Sequence, residues 1–141
     1  MKALKLILGS VFIFFTVYTE AQVSVGIGIG TPPPWGPVGY ADVRYYYLPD
    51  IEAYFDINTS LFIYFNGSTW INSPSLPPQY VNYNLYNGYK VVITDYHGPT
   101  PYVYFNEHRQ KYVRGYHGTP QKTYKQENEQ RHGNPPHKGR K

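Results

Sequence analysis

Tyr45-Tyr46-Tyr47 stands in a chain that carries 17 tyrosines and no cysteine. Without cysteine there is no disulfide framework, no thiolate metal site, no cysteine nucleophile and no lipidated cysteine anchor. Whatever this chain folds into is held by aromatic burial and hydrogen bonding alone. Thirteen of the tyrosines lie between residues 22 and 108. That is more than one small core encloses with every hydroxyl satisfied, so some are expected on the surface, where tyrosine and tryptophan make flat platforms for sugars or proteins.

The N-terminus reads as an address. Lys2 and Lys5 precede an uncharged run from Leu6 to Tyr18, and Thr19-Glu20-Ala21 places small residues where a signal peptidase inspects. Residues 1–21 are therefore expected to be a signal peptide cleaved before Gln22. The run is shorter than the roughly 18–20 residues that cross a bilayer. No second apolar stretch follows, so the mature chain is expected to have no transmembrane segment and to be periplasmic, outer-membrane-associated or secreted. An oxidising compartment permits disulfides, yet this small chain does without them.

Charge divides the mature chain near Arg109. Residues 22–108 carry Arg44 and Lys90 against Asp42, Asp50, Glu52, Asp56, Asp95 and Glu107, a net of −4. Residues 109–141 carry nine basic side chains against Glu127 and Glu129, a net of +7. From 118 to 141 there is no aliphatic residue and one aromatic, Tyr124. So little apolar surface does not offset the loss of chain entropy on ordering, which predicts a disordered basic tail over 118–141.

The remaining residues read as β structure. Residues 23–30 alternate Val, Val, Ile and Ile with Ser and Gly, a period of two that predicts a strand. The segment 31–37, with four prolines, predicts extended backbone. Residues 43–48, 53–57, 61–65 and 89–94 are β-branched and aromatic and read as strands. In 53–57 the alternation puts Ala53, Phe55 and Ile57 inward, Tyr54 and Asp56 outward. Asn66-Gly67 predicts a two-residue type I′ hairpin in which Phe65 opposes Ser68 and Ile63 opposes Trp70. Trp70 is then a core residue. Residues 79–86 carry aromatics at one-face helical spacing, with a stop at Asn87-Gly88. Thr100-Pro101 reads as an N-cap and first-turn proline, predicting a helix over 101–112 with Tyr102, Phe105, Arg109 and Tyr112 on one face. The expected fold is mainly β: a small antiparallel meander sheet with one short helix late in the chain and a disordered basic tail. Its parts are 1–21 (signal peptide), 22–42 (N-terminal strand and Pro-rich segment), 43–117 (β-rich domain) and 118–141 (tail).

The wording from Tyr45 to Tyr112 carries a resemblance. Tyr45-Tyr46-Tyr47-Leu48-Pro49-Asp50, Tyr54-Phe55-Asp56 and Ile63-Tyr64-Phe65-Asn66-Gly67-Ser68-Thr69-Trp70 form its first half. Leu76-Pro77-Pro78, the run from Leu85-Tyr86-Asn87-Gly88 to Ile93, and Tyr104 to Tyr112 form its second. Over about residues 36–118 the chain resembles a group of small, uncharacterised, tyrosine-rich exported proteins of Gram-negative bacteria. The resemblance implies an envelope location and lends no catalytic residue.

Candidate chemistry is sparse. Gly26 to Gly30 alternates glycine with isoleucine inside a strand and is followed by prolines, which is not the strand-to-helix setting of a nucleotide fingerprint. Asp95 and His97, with Glu107 and His108 further on, form the only cluster suited to acid–base or metal chemistry. Its plain reading is a turn carboxylate beside surface histidines. No Gly-x-Ser-x-Gly, His-Glu-x-x-His or paired-carboxylate pattern occurs. The expectation is a non-catalytic exported protein without cofactor or metal, and without a specific nucleic-acid partner, since the sheet is acidic. Its tail, through Lys122, Lys125, Arg131, Lys138, Arg140 and Lys141, would contact anionic envelope polymers. The alternative is a carbohydrate-binding module that presents Trp35, Tyr46 and Tyr54. A hydrolytic or metal enzyme around Asp95, His97 and His108 is the remaining alternative.

Overall fold

The computed structural model describes residues 30–133. The signal peptide, the strand expected over 23–30 apart from Gly30, and Lys138, Arg140 and Lys141 lie outside the described residues. Five antiparallel strands form one sheet: β1 (Tyr45–Leu48), β2 (Ala53–Asp56), β3 (Leu61–Phe65), β4 (Trp70–Ser73) and β5 (Val91–Ile93). Their order is β4-β3-β2-β1-β5, so the first four make the expected meander and β5 returns to pair with β1. Two helices follow, α1 (Phe105–Lys111) and α2 (Tyr124–Gly133). Among the described residues no helix is long and apolar enough to cross a membrane.

Both faces of the sheet are covered. Side chains alternate across a strand, so Tyr46, Leu48, Phe55, Phe62 and Tyr64 point to one face, and Tyr45, Tyr47, Tyr54, Ile63, Val91 and Ile93 to the other. The first face lies beneath the Pro-rich segment and the long β4–β5 connection, which contributes Leu76, Tyr80, Tyr83 and Leu85. The second lies beneath α1 and its flanks, through Tyr102, Phe105, Tyr112 and Tyr116. All four residues of β1, and all four of β2, are buried. Tyr54 and Asp56, expected outward, are therefore interior; Asp56 is compensated by Arg44 at 3.1 Å.

The β1–β2 turn fastens both coverings. Asp50 accepts a hydrogen bond from the Tyr83 hydroxyl at 2.7 Å on one side and from the Gly115 amide at 2.8 Å on the other. Glu52, held in the left-handed region at φ 50°, pairs with Arg109 at 3.2 Å and Arg114 at 2.9 Å.

Four further sequence expectations need correction. Residues 118–133 are not a disordered tail: the backbone of Lys122–Lys125 pairs with the Pro-rich segment through Val38 N–H to Lys122 O (2.9 Å), Tyr124 N–H to Gly36 O (3.0 Å) and Lys125 N–H to Pro34 O (2.9 Å). Backbone pairing, which apolar counting does not register, supplies the ordering. Trp35 is not an exposed ring. It is 9% exposed, edge-on to Phe55 at 4.7 Å and stacked with Phe62 at 6.4 Å. Gly36 permits this approach, because a Cβ there would lie 2.9 Å from the Tyr46 hydroxyl. The β3–β4 hairpin has a four-residue loop, with Phe65 opposite Trp70. The Asn66 carboxamide accepts the amides of Ser68 and Thr69, which stabilises the wider turn. A shift of two residues keeps the face, so Trp70 still joins the predicted side of the sheet, partly buried against Tyr102 (4.9 Å, stacked). Finally, the segment 101–112 is helical as expected, but it opens with a 3₁₀ turn at Pro101–Tyr104, and the Thr100 side chain makes no cap; its Oγ1 lies 3.1 Å from the Tyr96 hydroxyl.

Removing residues 118–141 should lower stability by about 2 kcal/mol or more, given about 0.5–1.5 kcal/mol net per hydrogen bond lost. Trp35→Ala should cost about 3–5 kcal/mol. Urea unfolding checks both. An unchanged midpoint for the truncated chain would show that the C-terminal segment contributes nothing to the fold.

Candidate functional site

The sequence-predicted contact residues are dispersed. Trp35, Tyr46 and Tyr54 are interior and present no platform. Lys122 and Arg131 both pair with Glu127, and Lys125 lies 4.0 Å from Glu129. The described part of the basic segment is thus largely neutralised within itself. Asp95, Glu107 and His108 do share one small cleft, whereas His97 lies outside its lining and offers its backbone carbonyl to Arg44 at 2.9 Å. Among the described residues no group of three or more histidines and carboxylates is placed to hold a metal. His108 Nδ1 is engaged with the buried Tyr54 hydroxyl at 2.8 Å, and burial lowers its pKa.

A larger polar cleft lies where the C-terminal segment meets the loop before β5. That loop is shaped by Asn84, whose carbonyl accepts the amides of Asn87 (3.1 Å) and Gly88 (3.3 Å) and whose side chain accepts Tyr86 N–H (2.9 Å). The opposite wall is built by two side chains. Gln121 pairs with the backbone of Lys90 in both directions, Lys90 N–H to Oε1 at 3.0 Å and Nε2 to Lys90 O at 2.7 Å, extending the edge of the sheet beside β5. Thr123 starts α2 as a capping box: its amide donates to Gln126 Oε1 at 2.9 Å, and Gln126 N–H approaches Thr123 Oγ1 at 3.4 Å.

Between these walls is a cleft of about 400 Å³ lined by Asn84, Tyr86, Asn87, Lys125, Gln126 and Glu129. A second hollow of about 250 Å³ continues past Tyr86 and Asn87 to Tyr89, Lys90, His117 and Gln121. Tyr86 is 45% exposed, and the Lys125 ammonium stands 5.3 Å from its ring centroid. Four carboxamides and two tyrosine rings line the whole, with polar and apolar surface in about equal parts. Planar amides and ring faces suit a ligand with hydroxyl groups and alternating polar and C–H surfaces.

Lys90 is the unusual member. It is 2% exposed, its ammonium donates only to the Tyr86 carbonyl at 3.4 Å, and no described carboxylate pairs with it. Desolvation by burial pushes its pKa down to about 8.

No protein family, curated protein or solved structure matches this chain. The reading of the site therefore rests on its own residues. Sequence reasoning passed over this cleft because each wall depends on contacts between segments about thirty residues apart. One local signal was present: Thr123-x-x-Gln126, ahead of charged residues, is the pattern of a capped helix start.

Burying an unpaired ammonium costs stability while it stays charged in the folded protein. The Lys90 pKa is lower folded than unfolded, so that cost is full below about pH 8 and fades as pH rises toward the unfolded value. Lys90→Met should therefore be more stable than the parent by roughly 2 kcal/mol at pH 7, with the gap narrowing between pH 8 and 9.5. Chemical denaturation across that range checks it; a variant less stable at pH 7 would contradict the assignment of Lys90 as an uncompensated charge.

Proposed function

We propose that this protein is an exported, non-catalytic binding protein of the bacterial cell envelope, and that its cleft between the Asn84–Lys90 loop and the Gln121–Glu129 segment holds a polar saccharide. The observation that carries the reading is the lining itself: Asn87 and the carboxamide N–H groups of Asn84 and Gln126 around the exposed ring of Tyr86, with Gln121, whose amide is spent on the Lys90 backbone, as part of the wall. A sugar hydroxyl can pair with the Asn87 carboxamide in both directions and accept from the N–H groups of Asn84 and Gln126, and the C–H face of a pyranose packs on a tyrosine ring. Export is supported by Lys2, Lys5, the uncharged run Leu6–Tyr18 and the small residues before Gln22, and by the resemblance to tyrosine-rich exported proteins.

This moves the saccharide reading from Trp35, Tyr46 and Tyr54, which are buried, to Tyr86 and its neighbours. Contact with anionic envelope polymers stays part of the proposal in narrower form. Lys122, Lys125 and Arg131 are engaged with carboxylates, so Lys138, Arg140 and Lys141 supply the charge for it.

A glycan array of bacterial envelope saccharides should return hits. Titration calorimetry with the best of them should show binding that Tyr86→Ala weakens by about tenfold or more, as truncation of a central aromatic contact does. An array without hits, or a Tyr86→Ala protein that binds as well as the parent, would refute the assignment. Ending the chain after Gly133 should reduce only a salt-sensitive retention on isolated envelopes.

A further inference from the structure

The small cleft at the other end of the molecule has aromatic walls. Tyr96 and Tyr104 meet edge to face, with centroids 5.3 Å apart and planes at 72°, and His108 follows with its ring centroid 6.2 Å from that of Tyr104. Together with Asp95 and Glu107 these three rings line a cavity of about 110 Å³. Two of the three rings are held before any ligand arrives. The Tyr96 hydroxyl is bonded to the Thr100 side chain and accepts the Thr100 amide, both at 3.1 Å, and the His108 ring is held by Tyr54. Tyr104 is 44% exposed and forms the open side.

Neither carboxylate is spent elsewhere. Among the described residues neither Asp95 nor Glu107 forms an ion pair. The nearby cations are turned to other groups: Arg44 pairs with Asp56 and lies over the Tyr45 ring, and the Lys111 ammonium lies over the Tyr112 ring. A corner of ring faces beside two free carboxylates is unsuited to an anion. A bare metal ion wants a shell of oxygen ligands, which these rings do not supply. An ammonium ion whose charge is spread over methyl groups is matched on both counts. Its methyl groups pack on the rings, the ring quadrupoles attract the cation, and the carboxylates add a longer-range field.

We infer that the Tyr96–Tyr104–His108 corner, with Asp95 and Glu107, is a binding site for a methylated ammonium head group of the choline type. This site is separate from the saccharide cleft and does not rest on it. Prebuilt walls reduce the ordering cost of binding, as in other aromatic cages.

Choline and its neutral isostere 3,3-dimethylbutan-1-ol, added to the purified protein and followed by heteronuclear NMR and calorimetry, form the test. Choline should bind, and the isostere should bind at least tenfold more weakly. Tyr104→Leu should abolish choline binding without unfolding the protein, since the ring is partly exposed; Asp95→Asn with Glu107→Gln should weaken it several-fold and leave the isostere unchanged. Tyr86→Ala should bind choline like the parent. Equal affinity for choline and the isostere, no shift with choline at millimolar concentration, or a response to calcium in place of choline would each overturn the inference.

Discussion

The fold depends on burying one strand on both faces. β1 places Tyr45 and Tyr47 against one covering and Tyr46 and Leu48 against the other, and each of these residues is essentially withdrawn from water. A strand so placed cannot be stable in a bare sheet. It needs both layers, and the chain supplies them from segments distant in sequence: the Pro-rich stretch and β4–β5 connection above, α1 and its flanks below. With no cysteine available, the layers are held by rings and hydrogen bonds. The Asp50–Glu52 turn joins them at one end, since it binds Tyr83 from one layer and Gly115, Arg109 and Arg114 from the other.

Tyrosine is the residue that makes this workable. A tyrosine ring buries a large apolar area, and its hydroxyl can reach a partner at the boundary: Tyr45 donates to the Gly98 carbonyl at 2.7 Å and Tyr54 meets His108 at 2.8 Å, whereas the Tyr47 hydroxyl is buried without a partner. These same bonds fix the loop and helix that bound the small cleft of Asp95, Glu107 and His108. His108 is oriented toward Asp95 and Glu107 because Tyr54 holds its other edge, so core and surface site share one hydrogen bond. The C-terminal segment plays the matching part on the opposite side. Lys122–Lys125 closes over the Trp35 stretch and, through Gln121 and the Thr123–Gln126 cap, becomes a wall of the polar cleft.

Local pattern made much of the sheet legible. The strands at 45–48, 53–56, 61–65 and 91–93, the breaks at Pro49 and Asn58, and the helical face of Tyr102, Phe105 and Tyr112 follow from alternation, turn chemistry and spacing. What escaped was everything decided by long-range contact. The alternation of Tyr54 and Asp56 suggested an outward face because the helix that covers it lies some fifty residues downstream. Trp35 looked exposed because prolines flank it, yet extended proline-rich backbone can lie flat on a sheet when a glycine allows close approach. The tail looked unable to fold because it lacks apolar residues, but its order comes from backbone pairing and a capping box. The aromatic corner is half visible in Asp95 and His108; Tyr104 reads only as part of the helix 101–112, and Tyr96 carries no local signal of its own. Arg44 and Asp56, twelve residues apart, read as separate charges in the sequence but form a partly buried pair.

A packed globule encloses the tyrosines of β1 and β2. Burial raises the pKa of Tyr45 and Tyr47 to about 12, and raises those of Tyr46 and Tyr54 further. A group whose folded pKa exceeds its unfolded value contributes stability that is intact below pH 10 and is lost as pH climbs past it. The most direct measurement is NMR of the protein labelled with ¹³Cζ-tyrosine, titrated from pH 7 to 12. The resonances of Tyr45, Tyr46, Tyr47 and Tyr54 should keep their protonated positions until the whole protein unfolds. Ionisation of these four near pH 10, with the sheet still intact, would contradict their enclosure.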